Sequence, residues 1–366
     1  MMAIEITRRR DVAMTKGEAF LDRLGISLPL IQAPMAGVST PRLAAAVTDA
    51  GALGSIGVGA LDASATRKQI EELQHLTNGP FNVNFFCHQT PQRNPEIEGR
   101  WIQRSAPLFA RMQAEPPKEL SEIYTSFRDT DAFLEAVLDL RPAVVSFHFG
   151  LPKPHQISAM KAAGLTLLAS ATSLEEARQI EAAGLHGIIA QGWEAGGHRG
   201  VFEPGALDAR LGLLELVAVL AEQTTLPVIA AGGLMTGAEI ARALSAGAVA
   251  AQLGTAFIGC PESNADAAYR DRLALGDETV MTAAISGRPA RCLSNAFTEW
   301  ASDVPIAEIP AYPCAYDLGK ALNAVATAKG VSSFGSQWAG MGADRARFMP
   351  AQALVQTLMA ELAATI

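Results

Sequence analysis

The sequence predicts an α/β fold, a (β/α)8 barrel carrying a smaller, mainly helical unit after its eighth strand, and three observations carry that prediction. Eight short apolar or β-branched runs alternate with helix-like segments from residue 29 onward. Four joints repeat one signature, an Ala-rich segment ending in Gly directly before an apolar run: DAGALGSI (49–56), AAGLTLLA (162–169), AAGLHGII (182–189) and SAGAVAAQ (245–252). In each, the Gly can take the left-handed conformation that ends a helix, and a strand follows at once. The runs are almost continuously apolar, as strands covered by helices must be, and eight such units favour a closed barrel over an open sheet.

In chain order the strands are PLIQAPM (29–35), ALGSIGV (52–58), FNVNFFC (81–87), AVVSFHFG (143–150), LTLLAS (165–170), GIIAQG (187–192), PVIAAGG (227–233) and AVAAQLGT (248–255). Two intervening helices announce their starts: SLEEARQIEAAG (173–184) opens with Ser173 and Glu176, and TGAEIARALSAG (236–247) with Thr236 and Glu239, the spacing of a capping box. Alternation lapses twice, from about 87 to 130 and from about 260 to 345. The second lapse is long enough for a small domain over the barrel mouth, so residues 1–260 and 346–366 are assigned to the barrel and 261–345 to a substrate-side unit. The final run, PAQALVQTLMAELAATI (350–366), is apolar at helical spacing and is expected to close the outer layer.

Composition narrows the function. Of 366 residues, 49% are hydrophobic and 18% charged, an ordinary globular balance, and the net charge of −8 disfavours a nucleic-acid partner, which would need clustered positive surface. The basic run ITRRRD (6–11) lacks the apolar stretch of a secretory signal, and LGLLELVAVLA (211–221) is too short to span a bilayer and carries Glu215. Cys87, Cys260, Cys292 and Cys314 show no CxxC pairing, and the six histidines show no HxxxH or HExxH pattern. A cytoplasmic enzyme without a metal site or membrane contact is the expectation.

In a barrel of this kind function lies at the C-terminal ends of the strands. Those ends read QAPMAG, NVNFF, SFHFGLP, SAT, QGWEAGGHRG, AAGG and QLGTAF. The small residues after the seventh and eighth strands, with the GG at 196–197, can converge backbone N–H groups on a phosphate; tight turns alone are the alternative. Neither a GxGxxG after the first strand nor a Walker GxxxxGK[ST] is present, which points to a mononucleotide such as flavin mononucleotide (FMN). Pro34, Met35 and Ala36 offer a neutral patch for its ring, with Asn84 and Gln191 in reach of the polar edge. The expected cofactor contacts are Ala33, Pro34, Met35, Asn84, Gln191, Gly192, Ala195, Gly196, Gly197, Gly232, Gly233, Gln252, Gly254 and Thr255.

QAPMAG (32–37), FNVNFF (81–86), SFHFGLP (146–152), IIAQGWEAGGHRG (188–200), PVIAAGG (227–233) and AQLGTAF (251–257), in this order, resemble the nitronate monooxygenases, and EAGGHRG with SFHFG and QLGTAF resembles their class I branch. The resemblance implies a TIM barrel, bound FMN, and oxidation of alkyl nitronates by O2 to nitrite and a carbonyl compound, with propionate 3-nitronate among the substrates and detoxification as the role. It also implies that His198 is catalytic and that Tyr312 and Lys320, in IPAYPCAYDLGKAL (309–322), lie near substrate; a packed aromatic is the alternative for Tyr312.

Independently of any family, a histidine near neutral pH can take the acidic proton beside a nitro group or hold the resulting anion. His148, ending the fourth strand, is either a second donor to substrate or a structural histidine under the flavin. Glu194 and Arg199 are expected to pair with each other or with neighbouring loops. His75, His88, His155 and His186 are expected on helices or outer loops. Gly340 and Gly342 are candidates to finish the phosphate pocket, although AGMG stands here where the family commonly has AGQG. An FMN-dependent NAD(P)H enoyl-thioester reductase on the same fold is the rival reading, and a monomer or homodimer the expected assembly.

Overall fold

A computed structural model describes residues 14–366, so the basic run at 6–11 lies outside the described residues. Eight parallel strands form one sheet: β1 (Leu30–Gln32), β2 (Gly54–Gly57), β3 (Phe81–Phe86), β4 (Val144–His148), β5 (Thr166–Ala171), β6 (Gly187–Gln191), then, beyond a two-residue strand β7 (Gly197–His198), β8 (Val228–Ala231) and β9 (Ala250–Leu253). Their order is β1-β9-β8-β6-β5-β4-β3-β2. Hydrogen bonds from Gln32 N to Leu53 O (2.9 Å) and from Leu53 N to Leu30 O (3.0 Å) join the two ends, so the sheet closes into a barrel. All eight expected strands are present.

The glycines of the four repeated joints do what was asked of them: Gly51, Gly164, Gly184 and Gly247 have φ of 92°, 82°, 72° and 110°. The helix Gly237–Ser245 starts with the complete capping box of Thr236 and Glu239. In the helix Leu174–Ala182 only half of the box forms. Ser173 caps Glu176 N, but the buried Glu176 carboxylate turns to Thr172 N (2.6 Å) and Phe202 N (2.8 Å), because the loop after β7 offers it an unsatisfied amide. The closing helix Ala351–Ala363 packs on Gly237–Ser245 and on Pro41–Asp49. Its approach is close enough that a Cβ on Gly237 would lie 2.2 Å from Leu362 N.

The helix Lys16–Leu24, which periodicity did not single out, plugs the N-terminal end of the barrel. Its Phe20 and Leu24 join Ile31, Leu53, Val144, Leu168, Ile189 and Ile229 in one buried cluster. That end is therefore sealed, and the opposite end is left for ligands.

Above the mouth, the segment after β9 holds the helices Ala267–Leu275 and Cys314–Thr327 and, unexpected for a mainly helical unit, the hairpin β10 (Thr279–Thr282) and β11 (Ala290–Leu293). β7 adds to this hairpin antiparallel, with His198 opposite Ala290 and Gly197 opposite Arg291. The apolar core of the unit also takes Trp101, Leu108, Phe109 and Tyr124 from the excursion after β3, packed with Phe297, Tyr312, Leu318 and Leu322. Alternating patterns could not reveal this pairing of two distant excursions, since each alone shows only irregular apolar residues. The four cysteines are buried and unpaired, and no described helix is long and apolar enough to cross a membrane.

Candidate active site

The strand ends and the unit above them enclose a cavity of about 770 Å³. Its floor is laid by Ala33, Pro34 and Met35 after β1, Asn84 on β3 and Gln191 on β6, and its far wall by Gly232, Gly233, Gln252, Gly254 and Thr255. Ala195, Gly196, Gly197 and His198 complete the ring, and Lys320, Tyr124, Tyr316 and Trp338 cover it from above. Sequence reasoning missed Tyr124, Tyr316 and Trp338. Only Tyr316 left a signal: it stands four residues before Lys320 on one helix, so both side chains share a face.

The QGWEAGGHRG loop is fixed from three sides. Gln191 binds it back onto β6, its Nε2 donating to His198 O (2.9 Å) and its Oε1 accepting from Gly200 N (2.7 Å). Gln191 lines the cavity, and one N–H and one lone pair of its amide are given to the loop. Arg199, 1% exposed, donates to Gln191 O and Gly192 O and pairs with Asp208 through two bonds of 2.8 and 3.0 Å. Glu194 does not meet Arg199; its carboxylate accepts from Leu213 N at the start of the helix Leu213–Gln223. Gly192 is a further departure. It lies off the cavity, and a Cβ there would come within 2.6 Å of Leu213 Cα, so it is glycine for packing rather than for a ligand.

His148 lines the cavity, yet both ring nitrogens are engaged: Nε2 donates to His198 O (3.1 Å), and Nδ1 faces Ser170 Oγ at 3.0 Å. It therefore supports the loop rather than offering a free donor, the structural alternative of the two. Tyr312 is buried behind His198, ring centroids 5.5 Å apart, with its hydroxyl unpartnered, and does not line the cavity. Lys320 does reach the cavity, its Nζ 4.9 Å from the Tyr124 ring and 5.5 Å from that of Tyr316.

His198 stands in an aromatic cage of Phe149, Tyr312, Tyr316 and Trp338, with centroids 4.8–6.1 Å away. Its Nε2 lies 2.9 Å from Ser286 Oγ. Burial, with His148 and Arg288 nearby, lowers its pKa to about 3, and burial lowers that of His148 to about 4. Both rings are thus neutral at pH 7. Phe149, at φ 71°, turns its ring under the Arg288 guanidinium at 4.4 Å. Arg288 donates to Val201 O and is held near a pKa of about 10 by burial, so it stays cationic.

Of the four histidines expected on helices or outer loops, His88 is the exception. His88 is 1% exposed, packed against Phe149 and Tyr312 with neither nitrogen bonded, because the second excursion folds over it. His186 accepts Leu167 N on Nδ1 (2.9 Å) and so joins β5 to the preceding joint of β6.

Several features suit a bound nucleotide. Gln252 Oε1 is buried on the far wall without a partner. Among the described residues, the amides of Gly233 and Leu234 donate to no protein acceptor. A Cβ on Gly254 or Gly197 would meet nothing closer than 3.5 Å, so its space belongs to the cavity. Gly340 N donates to Thr255 Oγ1 (2.9 Å), tying the C-terminal AGMG stretch to this wall, while Met341 is exposed.

A sequence profile described as "Nitronate monooxygenase" matches residues 18–361. A protein of Paraburkholderia phytofirmans named nitronate monooxygenase is 54% identical, over 96% of this chain and 97% of its own. One of the same name from Pseudomonas aeruginosa is 50% identical, over 94% and 99%. Among solved structures, a nitroalkane oxidase from Streptomyces ansochromogenes is 40% identical with a TM-score of 0.85, over 95% of this chain and 98% of that one. FabK from Thermotoga maritima is 28% identical with a TM-score of 0.71, over 95% and 96%.

Proposed function

Since the chain belongs to the nitronate monooxygenase family, we propose that it is an FMN-dependent enzyme oxidising alkyl nitronates, propionate 3-nitronate among them, with O2 to a carbonyl compound and nitrite. The observation that carries this reading is His198: neutral, caged by aromatic rings, and open to the cavity through the one ring nitrogen that no protein group takes.

The cavity fits FMN in its neutral apolar floor, its unpartnered Gln252 Oε1, and the free amides of Gly233 and Leu234 at the end where a phosphate would lie. When bound, FMN supplies the one-electron chemistry between nitronate and O2. Everything else falls to the protein. Pro34 and Met35 would carry the ring, and Gly254 and Thr255 would wall the phosphate. His198 takes the α-proton of a neutral nitroalkane and then stands as a cation beside the nitronate so formed. With a preformed nitronate no proton need be removed. Tyr124, Tyr316 and Trp338 exclude water above the reacting carbon, and Lys320 presents positive charge to an anionic substrate at the rim.

The test is O2 uptake and nitrite release by the yellow protein with ethyl nitronate and propionate 3-nitronate, without nicotinamide, beside His198→Asn. Nitrite from the wild type, with turnover of the neutral nitroalkane lost in the variant, is the expected result. Stoichiometric oxidation of NADH or NADPH with no O2-dependent nitrite would transfer the protein to the enoyl-thioester reductase reading.

A further inference from the structure

Ser286 sits in the turn between β10 and β11, 1% exposed, where Gly287 N closes on Ala283 O at 2.7 Å. Gly287 takes φ 91° against Tyr312 N, which a Cβ would approach to 2.5 Å, so the turn has little room to move. The Ser286 hydroxyl has two neighbours that want its single hydrogen: His198 Nε2 at 2.9 Å and Arg288 O at 3.2 Å. Among the described residues no other donor reaches the carbonyl of Arg288, a residue 2% exposed. A buried carbonyl left unpaired is costly, so the hydrogen goes to Arg288 O and the Oγ accepts from Nε2–H.

We infer that Ser286 is a positioning residue that fixes His198 as the Nε2–H tautomer and so makes Nδ1 the proton-accepting nitrogen of the site. A neutral imidazole carries one ring hydrogen, and with Nε2 holding it the lone pair lies on Nδ1. That nitrogen makes no hydrogen bond to the protein and is not sealed from the cavity. The contrast with His148, whose two nitrogens are both taken, explains why one histidine at this mouth is available for chemistry and the other is not. The groups facing the ring are Arg288, Tyr312, Tyr316 and the His148 ring; none of their polar atoms is bonded to Nδ1, so none competes for its lone pair. Removing the hydroxyl would strand Nε2–H in an apolar setting and favour the other tautomer, whose hydrogen would then occupy the nitrogen that must accept the substrate proton.

The inference rests on the reading of His198 as base, and its test separates the two. The holoenzyme with ¹⁵N-labelled histidine is examined by NMR at pH 7, as wild type, Ser286→Ala and Ser286→Thr. Expected are a protonated Nε2 and an unprotonated Nδ1 in the wild type, a weakened or reversed split in Ser286→Ala, and its return in Ser286→Thr. The ratio of kcat on a nitroalkane to kcat on its preformed nitronate should fall by about ten-fold or more in Ser286→Ala, since only the first needs the base. A wild-type spectrum with Nδ1 protonated, an unchanged spectrum in Ser286→Ala, or an equal fall on both substrates would overturn the inference. A wild type that oxidises neither substrate would instead sink the functional reading and leave the tautomer measurement standing.

Discussion

At the residue scale the site is governed by which polar atoms are already spent. Gln191, His148 and Arg199 all face the loop that carries His198, and their hydrogen bonds hold it, while Nδ1 of His198 and Oε1 of Gln252 are among the polar atoms left unspent. Because burial lowers the His198 pKa to about 3, kcat/KM on a neutral nitroalkane should hold down to about pH 5, where a histidine of ordinary affinity would have lost most of its base form. An acid limb near pH 6.5 would contradict the burial argument. Gly254 offers a second test. Valine there fills space whose nearest neighbours are Ala33 and Met35, at 3.5 Å or more from an added Cβ, so Gly254→Val should retain the fold, by circular dichroism and melting within a few degrees, yet retain flavin about ten-fold less well by absorbance. The sequence disclosed cavity residues at the strand ends, because the barrel orders them, but not those that the upper unit contributes, such as Tyr269, Tyr316 and Trp338. It could not disclose that Gln191 and His148 anchor the loop, since their partners, His198 O, Gly200 N and Ser170, are set by how the loop folds back.

At the scale of elements, the eight strands and their joints were legible because Gly at the end of an Ala-rich helix has one conformational use, and Gly51, Gly164, Gly184 and Gly247 all serve it. The hairpin β10–β11 was not: TVMT and ARCL are short, separated by seven residues, and stabilised by pairing with β7, a partner some eighty residues earlier in the chain. The N-terminal plug was missed for a related reason, since Phe20 and Leu24 gain meaning only against Gly187 and Leu168 across the barrel. Close approach between helices gives a sharp expectation. Alanine at Gly237 would press on Leu362 N and Leu358 O, which are backbone and cannot turn aside. Gly237→Ala should cost at least about 2 kcal/mol in denaturant unfolding, with kcat per folded molecule unchanged. A loss of less than half that amount would mean that the two helices slide apart without penalty.

At the scale of the molecule, four histidines bear on its response to acid. His88, His148 and His186 have pKa values lowered to about 4 and His198 to about 3, burial being the first cause in each. The unfolded chain protonates the same rings near 6.5. Between these limits the unfolded state binds more protons, so stability declines as pH falls, by up to about 1.4 kcal/mol per pH unit for each of His88, His148 and His198 and by less for the half-buried His186, which water screens; above 6.5 both states are neutral and the slope from this source vanishes. Tm should therefore be level from about pH 8 to 7 and drop steadily below about 6.5, and a level Tm down to pH 5 would show that these rings are not buried as described. Finally, β7 makes His198 a rung of the upper unit's sheet while Gln191 and His148 anchor the same residue to the barrel. The His198 ring therefore has two landlords. A chimera that exchanges residues 261–345 with those of a relative would inherit that relative's turn at 286, so the alignment of the ring is set jointly by the upper unit and the barrel, never by the barrel alone.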